Sequence, residues 1–329
     1  MNDKILSISV ACYNVEKYIE QAINSYLNCK YKDKLEILIV NDGSTDNTEK
    51  IAKKYSIKYP NIIKLLNQEN AGPGSTVNTG LKNATGKYFR MIDGDDWVKS
   101  DEMDSYIEFL ENNEVDMVVT NFIKVDDKTG KELYEKLNVD YEYKTIYQFD
   151  NVCDKLELNM HNVTYSTSLI KNYLKLDNCF YTDIEYLLLP IKKVKTIAFL
   201  NNYIYMYRIS LDTQSVNINS LQKHCDMHEL VLYRLMQFYK ENAKEFSKSR
   251  RYYLARRIAT MVGTQMYIYL SYEASKEYKE KLRRLLKNVK KDTSDIYKFI
   301  SKKKTVIALN VSNFMLYNII SNKNRKGKF

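Results

Sequence analysis

Over the first 125 residues strand-like and helix-like segments alternate without interruption, and that order limits the possible folds more than any other feature of the chain. Leu6-Ser7-Ile8-Ser9-Val10-Ala11 predicts a strand with near-alternating apolar residues. Val15, Ile19, Ala22, Ile23, Tyr26 and Leu27 then recur at helical spacing, which predicts an amphipathic helix over Glu16 to Cys29. Leu35-Glu36-Ile37-Leu38-Ile39-Val40 is a largely apolar run, as expected of a buried parallel strand. It stops at the turn sequence Asn41-Asp42-Gly43-Ser44. Thr45 or Asp46 can cap the next helix, with Glu49 placed for a capping box. A strand at Ile62 to Leu66, a helix at Ser75 to Ala84 and a strand at Lys87 to Ile92 follow. A helix at Asp101 to Asn112 and a strand at Asp116 to Asn121 complete the series. Such β-α-β repetition implies an α/β fold, a mostly parallel Rossmann-like sheet with helices on both faces.

From Lys124 to about Asn219 the pattern is irregular, with short β segments at Thr196 to Phe199 and Tyr203 to Tyr207. Helical patterning returns over Leu221 to Asn242, Arg250 to Tyr272 and Lys276 to Lys290. The expected division is a catalytic sheet domain over 1–219 and a basic helical region over 220–329. Charge follows the same division. The net +10 hides a balance of +16 from Lys240 onward, where 23 Lys and Arg face 7 Asp and Glu. A basic tail of this kind suits an anionic surface, either lipid or nucleic acid. No nucleic-acid recognition motif is present, so no nucleic acid is expected. Lys302-Lys303-Lys304, followed by Val306-Ile307-Ala308-Leu309 and Phe314-Met315-Leu316-Tyr317, suits either a segment lying in a membrane interface or a terminal helix docked on the core.

Five scattered Cys without a Cys-x-x-Cys spacing argue against a disulfide framework and fit a reducing compartment. Met1-Asn2-Asp3-Lys4 runs straight into a strand-like segment and lacks the apolar core of a signal peptide. No apolar run approaches the roughly 20 residues that span a bilayer. The expected location is therefore cytoplasmic, with the inner face of the cell membrane as a peripheral site. His224 and His228 flank Cys225 at helical spacing and could bind a metal. The run Leu221, Met227, Leu230, Val231 and Leu235 favours an amphipathic helix there instead.

Polar groups gather at the strand ends. Cys12-Tyr13-Asn14 follows the first strand and Asn41-Asp42-Gly43-Ser44 the second, while Asp93-Gly94-Asp95-Asp96 follows the strand at Lys87 to Ile92. Carboxyl ends of parallel strands are where open α/β sheets bind ligands. Asp42 can accept hydrogen bonds from a nucleobase N–H or a ribose hydroxyl, and Tyr13 offers a ring face to a base. Gly72 and Gly74 open a helix whose amides favour a phosphate or let backbone approach one closely. Asp93 and Asp95 suit Mg2+ or Mn2+, which take oxygen ligands and complete their shell with diphosphate oxygens.

In order and spacing the series Ser9-Val10-Ala11-Cys12-Tyr13-Asn14, Val40-Asn41-Asp42-Gly43-Ser44-Thr45-Asp46, Asn70-Ala71-Gly72, Asn78-Thr79-Gly80 and Asp93-Gly94-Asp95-Asp96 resembles the family 2 glycosyltransferases. The match is clearest over about residues 5–125 and fainter to about 216. The resemblance implies a GT-A fold, a nucleotide-sugar donor and an inverting reaction. Tyr13, Asn14 and Asp42 would hold the uridine part, with Ala11, Asn70, Gly72 and Gly94 in the same motifs. Asp95 would be the direct metal ligand, while Asp93 would bind ribose or assist with the metal. The catalytic base would be Asp183, in Phe180-Tyr181-Thr182-Asp183-Ile184-Glu185-Tyr186, with Glu185 as the second candidate. Such a carboxylate can take the proton an acceptor hydroxyl loses as it attacks the anomeric carbon. Asp183 would also serve as a helix cap.

Two positions depart from the family pattern. Ala11 stands where most members have Pro, a mild change. Val77 stands where many carry Arg before Asn-x-Gly, which removes a cation from the diphosphate, and Arg208 is the substitute the sequence offers. Gln214-Ser215-Val216, after Arg208, resembles a loop that closes over the diphosphate. The Gln-x-x-Arg-Trp pattern of processive polymerases is absent, Trp97 being the one Trp, so addition of one or a few sugars is expected. The expected activity is metal-dependent transfer from a UDP-sugar to a glycan or lipid-linked oligosaccharide, in bacterial surface-polysaccharide assembly. Two rival readings are a nucleotidyltransferase, which lacks its basic Gly-rich loop here, and a basic nucleic-acid-binding protein.

Overall fold

The computed structural model describes residues 4–137, 140–211 and 217–325, and the chain divides into two compact units, Met1–Asp212 and Thr213–Phe329. In the first unit β1 (Leu6–Cys12), β2 (Leu35–Asp42), β3 (Ile63–Gln68) and β4 (Tyr88–Asp93) are parallel, in the spatial order β3-β2-β1-β4. Helices α1 (Ile19–Leu27), α2 (Thr48–Lys58) and α3 (Pro73–Asn83) make the crossovers. Strand β2 is buried at every position, which is why its sequence runs apolar rather than alternating. In α1 the helical spacing turns Ile19, Ala22, Ile23, Tyr26 and Leu27 inward. Chain direction out of the centre reverses between β1 and β4, which makes that crevice the topological switch point.

Past β4 the sheet becomes mixed. After β5 (Trp97–Val98) and α4 (Ser100–Asn112), strand β6 (Met117–Asp126) lies parallel to the long β10 (Thr196–Ile209). Strand β9 (Val163–Ser166) inserts antiparallel between β4 and β6. Strands β5, β7 (Glu132–Glu135) and β8 (Ile146–Gln148) also pair antiparallel, giving ten strands among the described residues. Three short helices, α5 (Phe149–Val152), α6 (Thr167–Ile170) and α7 (Asp183–Leu188), occupy the irregular middle segment. The two β segments expected near residues 196–207 are one strand whose register shifts between Phe199 and Tyr205. Asn201 and Asn202 cause the interruption: Asn202 donates to Glu102 and Ser105 of α4, and Asn121 Nδ2 reaches the Asn201 carbonyl.

The second unit is helical: α8 (Ile218–Lys223), α9 (Cys225–Asn242), α10 (Lys248–Ser271), α11 (Lys276–Asp292), α12 (Ser294–Ile300), α13 (Lys304–Val311) and α14 (Tyr317–Arg325). Helix α10 is its centre, packed by α8, α9, α11, α12 and α14. The helix expected over Leu221 to Asn242 breaks at His224, whose backbone (φ −108°, ψ 25°) leaves the helical region. Its buried face runs through Cys225, His228, Leu232 and Met236, so Met227 and Leu230, expected inside, are exposed. His228 Nδ1 lies 2.5 Å from Gln265 Oε1, and Gln265 Nε2 donates to Cys225 Sγ. These two side chains serve a buried polar contact in the core, and among the described residues no group of three or more His, Cys, Asp and Glu is arranged to hold a metal. No described helix is long and apolar enough to cross a membrane.

Candidate active site

The loops after β1 and β2 are laced together at the carboxyl edge of the sheet. Asn14, in the left-handed region at φ 53°, accepts from Thr45 N–H at 2.8 Å and donates its own amide to Ser44 Oγ. Asp46 accepts from Glu16 N–H and Thr48 N–H, and Glu16 answers by accepting from Asn47. The expected capping box at the start of α2 does not form, because Glu49 reaches across to Asn67 instead. Tyr13 stands half exposed on this edge with its ring available.

Asp42 is nearly buried and grips the next loop. Its Oδ1 accepts from Gln68 Nε2 at 2.7 Å and Ala71 N–H at 2.9 Å, and its Oδ2 from Gly72 N–H at 2.9 Å. A carboxylate has about four lone-pair sites, so about one remains for a ligand. Gln68 turns its carbonyl to Thr79 Oγ1, which ties the loop to α3. The amides at the start of α3 do not form the open phosphate cradle expected of them. Gly72 N–H is engaged by Asp42, and a Cβ on Gly74 would lie 1.9 Å from the Asp177 carbonyl and 3.0 Å from Thr182 Oγ1. Gly74 is therefore needed for protein packing, since the 177–182 segment covers this helix end. Asn78 strengthens the same contact by exchanging two hydrogen bonds of 2.9 Å with the Leu176 backbone. Val77 is buried in α3.

Asp93 ends β4 at the switch point, paired in register with Ala11 of β1. Gly94 N–H donates to the Ala11 carbonyl at 2.8 Å, and a Cβ there would lie 2.7 Å from that same oxygen. Only glycine lets the acidic turn sit this close to β1. Asp96 is fully buried; it accepts from Tyr205 Oη–H at 2.7 Å and Arg208 N–H at 2.6 Å. Tyr205 Oη in turn accepts from Asp93 N–H, so one hydroxyl bridges two residues of the turn. Arg208 lies underneath. Its Nε donates to the Asp95 carbonyl at 2.8 Å, its other nitrogens reach Asp127 and Gln21, and its guanidinium is sandwiched near the Tyr18 and Trp97 rings. Arg208 thus braces the turn, with Asp127 as its ionic partner.

Asp183 begins α7, exposed, two residues after Tyr181, whose φ of 67° turns the chain into the helix. Glu185 is buried beneath it. Burial first, then the charges of Asp95 and Asp183, push Asp93 up to about 7. Burial also raises Asp95, against the opposing pull of its own backbone hydrogen bond and Arg208. Tyr207 is pushed up to about 12, by burial and then by Asp96, Asp93, Asp95 and Asp183. All four acids thus act on the charge state of that one ring. Asp93 and Asp95 are hard oxygen donors whose mutual repulsion a divalent cation would offset, so the residues fit Mg2+ or Mn2+. With no third His, Cys, Asp or Glu arranged to ligate among the described residues, phosphate and water oxygens would complete the shell.

Several residues of the site escaped the sequence reading. Arg90, fully buried three residues before Asp93, donates to Thr120, Thr164 and the His161 carbonyl and lies over the Tyr205 ring. His161 stacks on Tyr207 at 4.1 Å and meets Tyr205 edge-on at 4.8 Å. The signal was the alternation Tyr203, Tyr205, Tyr207 ahead of Arg208, which puts aromatic rings on one side of a strand. The Gln214-Ser215-Val216 segment lies outside the described residues.

A sheet with nucleotide-type strand ends at its switch point and acids on the following turn has the GT-A-like glycosyltransferase architecture. Staphylococcus aureus TarS (residues 1–349, in a crystal structure with UDP-GlcNAc) shares this fold at a TM-score of 0.68, with 17% identity, over 99% of this chain and 93% of that one. The chain belongs to glycosyl transferase family 2, whose model matches residues 7–175. The glycosyltransferase GlyA of Streptococcus pneumoniae is 31% identical over 63% of this chain and 28% of its own length. The putative glycosyltransferase EpsH of Bacillus subtilis is 35% identical over 43% of this chain and 40% of its own. The minor teichoic acid biosynthesis protein GgaB of B. subtilis is 29% identical over 65% of this chain and 24% of its own. The matched region thus spans well under half the length of these relatives. Membership of this family favours a glycosyltransferase over the nucleotidyltransferase reading.

Proposed function

We propose that the protein is an inverting, metal-dependent glycosyltransferase that moves a sugar from a UDP-sugar to a hydroxyl of a glycan or lipid-linked oligosaccharide, in bacterial surface-polysaccharide assembly. One observation carries this reading. Asp93 ends β4 at the switch point, with Asp95 two residues on in the braced turn, and the charge of the exposed Asp183 at the start of α7 is felt at Asp93. Relatives named for teichoic acid synthesis and the UDP-GlcNAc complex of TarS support the setting and the donor class.

In this reading the Tyr13 ring receives the uracil face and Asp42 offers its remaining lone pair to the base or ribose, while Asn14 and Asn70 shape the floor. Asp93 and Asp95 hold Mn2+ or Mg2+, which when bound offsets charge on the departing diphosphate. Asp183 accepts the acceptor proton as the hydroxyl attacks the anomeric carbon from the face opposite the leaving group. Glu185, being buried, supports α7 rather than meeting the acceptor. Arg208 acts from beneath, opposing the rise that burial imposes on Asp95 and holding the turn in place, rather than meeting the diphosphate. The unit Met1–Asp212 binds the donor, and the basic helical unit meets the acceptor or an anionic membrane at the cytoplasmic face.

The test is a panel of UDP-sugars with Mn2+, read as UDP release with and without an oligosaccharide acceptor. One donor giving acceptor-dependent release, abolished by a chelator, is the expected result. Release with no metal requirement would overturn the metal assignment, and GDP-sugars outperforming every UDP-sugar would overturn the donor.

A further inference from the structure

Apolar side chains collect on the outside of the last two helices of the second unit. Ile307 and Val311 lie one turn apart on α13, Met315 and Leu316 follow the left-handed residues Asn313 and Phe314 in the turn, and Ile319 lies on α14. Ile307, Val311, Met315, Leu316 and Ile319 are 48, 83, 79, 40 and 54% exposed. The opposite side of the same segment, Val306, Leu309, Phe314, Tyr317 and Ile320, is buried in the unit's own core. The segment is therefore already docked by one face and still presents a second apolar one. Val311 and Met315, at its crest, expose most of the surface they have, which a core-packing role does not explain.

Charge along this segment has a single sign. No acidic residue follows Asp295, whereas eight Lys and Arg do. Lys302, Lys303 and Lys304 lead into α13, and Lys323 and Arg325 close α14; none of these five is in an ion pair with a described residue. Arg283 of α11 also lies over the Phe314 ring, but its charge is paired with Glu280. An apolar crest between uncompensated lysines complements a surface with anionic head groups over hydrocarbon.

We propose that Ile307, Val311, Met315, Leu316 and Ile319 form a membrane-docking ridge that enters the interface of an anionic bilayer, with Lys302, Lys303, Lys304, Lys323 and Arg325 on its phosphates. This deepens the proposed function by naming the surface, but it rests on the helical unit alone.

The experiment is co-sedimentation of the full chain with vesicles of phosphatidylcholine, with and without phosphatidylglycerol. Binding to the anionic vesicles alone, weakening as salt rises, is expected. Lys302→Gln, Lys303→Gln and Lys304→Gln together should weaken it about a hundredfold, at the surface attraction typical of each basic residue. Val311→Asp with Met315→Asp, at positions outside the core, should abolish it while leaving circular dichroism and UDP release unchanged. Asp95→Ala should bind vesicles normally, which separates failure of this proposal from failure of the catalytic one. Equal binding to both vesicle types, or full binding by the double aspartate variant, would overturn the ridge. So would a soluble dimer that Val311→Asp and Met315→Asp dissociate, for the face would then join two copies.

Discussion

The two acidic parts of the site are built on opposite principles. The Asp93–Trp97 turn is held from every side: Gly94 on the β1 carbonyl, Asp96 between Tyr205 and Arg208, and the Asp95 carbonyl on the Arg208 guanidinium. Asp183 instead stands exposed at the start of a six-residue helix, positioned by the Tyr181 backbone and the Asn78–Leu176 contact. The contrast matches the proposed roles: acids that would fix a cation are crowded and braced, whereas one that would exchange a proton with an incoming hydroxyl stays reachable. Crowding raises the cost of ionisation, and the bracing prevents the turn from relaxing away from it.

The sharpest way to break this comparison is to remove one acid from each part. Asp95→Ala and Asp183→Asn should both lower turnover by about 10³-fold. Only the first should weaken UDP binding, measured by calorimetry with Mn2+. Wild-type turnover in Asp183→Asn would end its assignment as base. Arg208→Met comes next. Losing the buried Arg208 guanidinium, its pair with half-exposed Asp127 and its bond to the Asp95 carbonyl should cost about 2 kcal/mol in urea unfolding. It should also weaken metal binding in a Mn2+ titration, whereas α7 and acceptor affinity should be untouched.

His161 gives a pH handle on the brace. Burial first, then Arg90 and Lys124, lowers its pKa to about 3. The unfolded chain takes up a proton below about 6.5 while the folded one stays neutral, so stability is lost as pH falls from there toward 3. At pH 5 the loss from this one group approaches 2 kcal/mol, given about 1.4 kcal/mol per unit. His161→Phe should flatten that limb in denaturation midpoints taken from pH 7.5 to 5; an unchanged slope would place the proton elsewhere. Tyr205→Phe is the mildest test. Removing the hydroxyl shared by Asp93 and Asp96 should cost about 1–2 kcal/mol and still leave Asp183 in place. Turnover falling without a change in acceptor KM would localise the damage to the turn.

Much of this was legible in residue order. Strand ends at Ala11, Val40 and Ile92 were read within two residues of their observed positions, because buried parallel strands carry long apolar runs and stop at Asn, Asp and Gly. The acids Asp93, Asp95 and Asp183 were visible as motif residues. What each motif residue touches was not. Asn78-Thr79-Gly80 proves to be a scaffold motif, and Arg208 serves Asp127 and the Asp95 carbonyl, since partners 98 or 113 residues away leave no periodic trace. Strand β10 was read as two pieces because Asn201 and Asn202 interrupt its pattern, although both asparagines are tied down by α4 and β6. Buried Arg90 was hidden for the opposite reason: a single charge in an otherwise apolar strand looks like a solvent-facing position.

The lacing of the loops that follow β1, β2 and β3 has a kinetic consequence. Asp42 holds the Ala71 and Gly72 amides, and Asn14 holds Thr45, through the protein's own hydrogen bonds. If these loops form the nucleotide floor, as proposed, capture would need no prior folding of that floor, so little ordering entropy would be lost and encounter, rather than rearrangement, would set the pace.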